Sequence, residues 1–123
     1  MIKTFLLSLI VFLGIDFIWL STISKSFYDK QFSNFERAFR LVPAGLSYLL
    51  LVLGLTFFIL PKAQTPTQAL LHGALFGLIT YGTYDLVNLA TLSNWTLKMT
   101  IVDMAWGATV CGLVSLIVKL ILK

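Results

Sequence analysis

The sequence predicts an all-α, polytopic membrane protein: a four-transmembrane-helix bundle with a short interfacial amphipathic helix between helices 1 and 2. Three observations carry this expectation. Of 123 residues, 59% are hydrophobic and 11% charged, at a mean hydropathy of +0.94, whereas water-soluble domains run near 25% charged and need that polarity to cover a surface. The apolar residues gather in four runs, at about residues 4–24, 41–60, 68–92 and 98–122, each near the roughly 20 residues that a helix needs to cross the hydrocarbon layer. None of the runs shows the alternating ten-residue pattern of a membrane barrel strand, the other fold that satisfies every backbone group in lipid. A single integral-membrane domain over residues 1–123 follows.

The first run imitates a signal peptide, with Lys3 ahead of an apolar stretch over residues 5–13. Asp16 and Trp19 interrupt it, however, and no small-x-small cleavage site follows, so a permanent helix is expected. The joint at residues 25–40 places Tyr28, Phe32, Phe35 and Phe39 at i, i+4, i+7 and i+11, one helical face, with Lys30, Ser33, Asn34, Arg37 and Arg40 opposite. That pattern suits a helix lying in the interface with its aromatic face down. It serves either as a plain surface anchor or as a lid over a site in the bundle.

Pro61 ends the second run. Thr65 as N-cap, Pro66 at the first helical position and Gln68 as capping-box partner open the third. Residues 93–96 form a tight polar turn, and Trp95 has the amphipathic ring favoured at a membrane–water boundary. An even span count puts both ends of the chain on one side. Lys3, Lys62, Lys119 and Lys123 then oppose Lys25, Lys30, Arg37, Arg40 and Lys98, a division that sets no orientation. The formal +4 charge lies mainly at the ends of the runs, where headgroup anchoring accounts for it and a nucleic-acid partner is not expected. The one cysteine, Cys111, closes no intrachain bridge and reads as a small buried apolar side chain.

Three of the five acidic residues, Asp16, Asp85 and Asp103, lie inside apolar runs. Each costs about 2.5–3.5 kcal/mol near the bilayer centre on insertion scales, so something must offset them. With a rise of about 1.5 Å per residue, Asp16 lies about 18 Å, Asp85 about 26 Å and Asp103 about 22 Å from the side holding the chain ends, for a layer of about 30 Å. All three occupy the half beneath the aromatic joint.

On the third helix Gly73, Gly77, Tyr81, Tyr84, Asp85, Asn88 and Thr91 fall within roughly a third of the circumference. The stripe is small first and polar after, and must look into the bundle: the glycines permit close approach, within one chain or between subunits. Asp16-Phe-Ile-Trp19 and Asp103-Met-Ala-Trp106 repeat one arrangement, a carboxylate with an indole one turn later on the same face. Such pairs either glue helices together by hydrogen bonding or line a carboxylate-and-aromatic pocket, and intramembrane ionisable groups favour the pocket. His72, about 20 Å along the axis from Asp85, reads as an interfacial hydrogen-bonding group. One histidine excludes bis-histidine haem and histidine-rich di-iron sites, a retinal-type Schiff base needs a lysine well inside a span whereas Lys119 and Lys123 are terminal, and there is no phosphate loop. Neither a cofactor nor a metal is expected.

The blocks Asp16-Phe-Ile-Trp19-Leu20, Gly73-Ala-Leu-Phe-Gly77-Leu, Tyr81-Gly-Thr-Tyr84-Asp85-Leu-Val-Asn88-Leu-Ala-Thr91-Leu with Trp95, and Asp103-Met-Ala-Trp106-Gly107, with Phe27-Tyr28 after the first helix, resemble the bacterial family of small predicted membrane proteins catalogued as domain of unknown function 2177. The resemblance spans nearly the whole chain. It implies a four-helix integral membrane protein of the bacterial cytoplasmic (inner) membrane and carries no established activity.

Three functions stay open. In the leading one, an amphiphilic or lipid-like small molecule enters between the helices and meets Asp16, Asp85 and Asp103 beside Trp19, Tyr81, Tyr84, Asn88 and Trp106. The second is proton-coupled small-molecule transport by a homodimer. The third is lipid-modifying catalysis with aspartates as general acid and base. Membrane lipids are the expected partners, with a homo-oligomer open. Since no Lys or Arg lies inside a span, at least one of the three aspartates is expected to be protonated near neutral pH and to donate a hydrogen bond; for Asp85 the expected partner is an aromatic or amide group on the first or fourth helix.

Overall fold

The computed structural model describes residues 2–19, 21 and 41–122. The four helices among them are α1 (Ile2–Ile18), α2 (Leu41–Gly54, continued by a π-helical turn at Leu55–Ile59), α3 (Pro66–Thr91) and α4 (Leu97–Ile121). No strand occurs among the described residues. The expected amphipathic helix at residues 25–40, with Tyr28, Phe32, Phe35 and Phe39, lies outside them.

Local chemistry sets the boundaries. The Thr65 hydroxyl accepts from the Gln68 backbone N–H at 3.1 Å and opens α3 with Pro66 in its first turn, as the sequence predicts. The Gln68 side chain departs from the reciprocal box, since its Oε1 accepts from the N–H of Gln64 at 2.8 Å, one residue before the cap. Thr96 caps α4 in the same way, accepting from Met99 N–H at 3.1 Å. Trp95, in the turn between α3 and α4, is buried, and its indole N–H donates to Thr100 Oγ1 at 3.1 Å. The π-turn in α2, closed by Leu60 N–H on the Leu55 carbonyl at 2.9 Å, has no counterpart in the sequence reading.

α3 and α4 form an antiparallel hairpin packed at backbone distance. A Cβ at Gly73 would meet Ser115 and the Cys111 carbonyl, one at Gly77 would meet the Gly107 backbone, and one at Gly82 would meet Met104. The Gly73–Gly77 stripe is thus an internal contact. Hydrophobic transfer contributes little to helix association in lipid, which is as apolar as leucine; close packing and polar contacts carry it. α1 and α2 lie against this hairpin, and Gly54 of α2 sits against the Phe76 ring.

Burial divides the bundle along its axis. Toward the end that carries Ile2 and Ile121, Phe12, Val52, Leu55, Val110, Val114 and Val118 make an apolar core. One to two turns further on, the interior becomes polar. The outer surface is strongly apolar, with Ile10, Phe17, Leu50, Phe58, Leu75, Val87 and Ile101 all exposed, which suits a surface facing acyl chains. By length and composition α2 over Val42–Ile59 and α4 over Leu97–Ile121 can each cross a membrane. The described part of α1 has 17 residues, and the 26 residues of α3 include His72, Tyr81, Tyr84, Asp85 and Asn88, which dilute its apolarity.

Candidate functional site

All four helices contribute to the polar half. Asp16, on α1, is buried and accepts two side-chain hydrogen bonds, from the Tyr48 hydroxyl of α2 and from the Trp106 indole N–H of α4 at 3.0 Å. The Trp19 ring stacks on Trp106 with centroids 4.3 Å apart and planes 7° from parallel, while Phe12 meets Tyr48 edge-on at 5.7 Å. The repeated carboxylate-indole arrangement therefore interlocks across helices: the indole of α4 serves the carboxylate of α1, and the indole of α1 covers it. Tyr48 is the residue that the sequence reading missed. Its signal was a tyrosine in a run that otherwise offers only Ser47 and Thr56 as polar side chains.

Asp85, on α3, is fully buried, and among the described residues its carboxyl oxygens meet the Asp103 carboxyl of α4 and no other polar side chain. The aromatic or amide partner expected from the sequence is not there. What the fold brings to Asp85 is the carboxyl of Asp103 on α4, close enough to interact. Asp16 is not part of that pair. Tyr81 connects the two, lying half-buried against Gly107 and within electrostatic reach of Asp16, Asp103 and Tyr48. Gly107 has no Cβ because the Tyr81 ring occupies the place that one would fill.

The remaining members of the predicted stripe spread around α3. Asn88 is half-buried. Tyr84 is 61% exposed, its ring edge-on to Trp95 at 6.1 Å. Thr91 is exposed and returns its hydroxyl to the Val87 carbonyl at 2.7 Å. A 100° wheel counts all three with Gly73, Gly77 and Asp85 as one face, yet those three are buried whereas Tyr84 and Thr91 are exposed, so burial differs along the stripe. His72 is exposed, away from the carboxyls, and Cys111 is buried.

A lateral groove of about 660 Å³ opens between α2 and α3. Pro43, Ala44, Leu50 and Leu51 give it one apolar wall, Ser47 adds a hydroxyl, and Thr80, Tyr81, Tyr84 and Asp103 form the opposite side. It is large enough for a chain-bearing small molecule and runs from apolar wall to hydroxyls and a carboxyl. Among the described residues no three metal-ligating side chains come together.

Fold and site define the class as a small helical membrane protein with a carboxylate-and-aromatic cluster in one half of its bundle. The chain belongs to the family of predicted membrane proteins DUF2177, which it matches over residues 1–120. No curated protein and no solved structure matches it.

Proposed function

We propose that this is a multi-pass protein of the bacterial cytoplasmic membrane, with α1 to α4 all spanning, that binds an amphiphilic or lipid-like molecule in the α2–α3 groove. The groove is the observation that carries this reading: its apolar wall suits an alkyl chain, and Ser47, Thr80, Tyr81 and Asp103 suit a hydroxyl- or amine-bearing head. A lateral opening gives a ligand in the bilayer direct entry. The Asp16–Tyr48–Trp106 network ties α1 to α2 and α4 and so holds the neighbouring wall in place.

Binding is tested with three fluorescent probes of one chain length, carrying an amine, an alcohol or a carboxylate head, titrated into the detergent-solubilised protein. The amine and alcohol should bind, Asp103→Asn should weaken the amine selectively, and Ala44→Trp, which fills the groove, should abolish both. Binding that survives Ala44→Trp unchanged, or no binding by wild type, overturns the reading.

A second reading, proton-coupled transport by a homodimer, is favoured by Asp85, fully buried beside a second carboxyl. Two neighbouring carboxyls out of water repel when both are charged, so a proton between them stabilises the pair. Infrared spectra near pH 7 should show a carboxylic-acid band that Asp85→Asn removes. Its absence from wild type makes the aspartates plain anions and ends this reading.

A further inference from the structure

At the opposite end of the bundle, a second cleft of about 270 Å³ lies where the start of α1, the π-turn of α2 and the end of α4 meet. It shares no residue with the groove. Its polar side chains are Thr4, Thr56 and Lys119, and its walls include Leu60, Val118 and Leu122.

Thr56 is 2% exposed and its hydroxyl has no hydrogen-bond partner. A buried hydroxyl left so is costly, and each such group calls for an explanation. It sits in the π-turn, a local widening that proteins often retain at functional sites. Lys119, half-buried, makes one hydrogen bond among the described residues, a long one of 3.4 Å to the Leu60 carbonyl at the end of α2. An ammonium has three donors, so two remain for a ligand. Among the described residues, 2–12, 56–72 and 110–122 contain no Asp or Glu.

We propose that this cleft binds a phosphate-type oxyanion, with Lys119 as its counter-charge and the Thr56 and Thr4 hydroxyls as donors. An acidic phospholipid headgroup and free inorganic phosphate share that chemistry. The walls at Leu60, Val118 and Leu122 suit the first methylenes of an acyl chain and favour the lipid.

The test is native mass spectrometry of the full chain in detergent, titrated with phosphatidylglycerol, with phosphatidylcholine of the same chains, or with inorganic phosphate. Wild type should retain phosphatidylglycerol over phosphatidylcholine. Lys119→Met should lower that retention roughly five-fold, in line with one basic side chain at an anionic surface, and Lys119→Arg should restore it. Thr56→Val, which changes no charge and keeps the side-chain shape, should lower it several-fold, while Lys3→Met, outside the cleft, should change it little. Retention of inorganic phosphate that falls in the same two variants supports the oxyanion site and assigns it to the soluble ion. Equal retention by wild type and Thr56→Val, or an equal fall in Lys3→Met, overturns the site in favour of general surface charge. If Lys119→Met does not fold, Thr56→Val carries the test alone, with circular dichroism as the check on folding.

Discussion

Asp16 and Asp85 solve one problem, a carboxyl inside an apolar helix, in opposite ways. Asp16 takes two donors from two other helices, so removing either leaves a buried group under-satisfied. Tyr48→Phe and Trp106→Phe are each expected to cost about 0.5–2 kcal/mol, the range of interhelical hydrogen bonds in membranes, seen as a lower Tm by circular dichroism in one detergent. Asp16→Asn keeps an acceptor and should cost less than Asp16→Ala. Unchanged melting in both donor variants would remove the network from any role in stability. Asp85 has no aromatic or amide donor and meets a second carboxyl, Asp103, in its place.

Among the elements, the α3–α4 hairpin is held by shape. The closest approach is Gly77 against the Gly107 backbone, where nothing flexible can yield. Gly77→Ala should therefore separate the helices and lower stability by about 1–3 kcal/mol. Gly14, on α1, offers a control, because an added Cβ there meets open space. Gly14→Ala should be neutral or stabilising by up to about 1 kcal/mol through helix propensity alone. Thermal denaturation of the two variants side by side checks both, and equal effects would mean that propensity, not contact, governs the hairpin. The π-turn also belongs to this scale. It packs against α1, α3 and α4, and nothing in the run at residues 55–59 distinguishes it from ordinary apolar helix.

For the molecule as a whole, the proposed reading, in which all four helices span, fixes which joints share a side. In a Cys111→Ser background, Lys3→Cys and Lys62→Cys should react with a membrane-impermeant maleimide from one face, and Asn94→Cys from the other. Labelling of Lys62→Cys and Asn94→Cys from the same face would leave α3 outside the count of spans. The separation of the aspartate cluster from the Lys119 cleft, at opposite ends of the interior, also belongs here.

Composition and run length alone determine that the chain is helical and belongs in a membrane, because lipid leaves the backbone no other way to bond over such runs. The 1.5 Å rise likewise puts Asp16, Asp85 and Asp103 in one half, since depth along an axis depends only on residue number. Rotation about the axis does not. That Trp106 serves Asp16, that Tyr48 completes the pair, and that Asp85 meets Asp103 and not an aromatic group are set by which arcs of neighbouring helices touch. Those arcs follow from the glycine contacts of the hairpin and the seating of α1 and α2 upon it, and side chains far apart in the sequence decide them together.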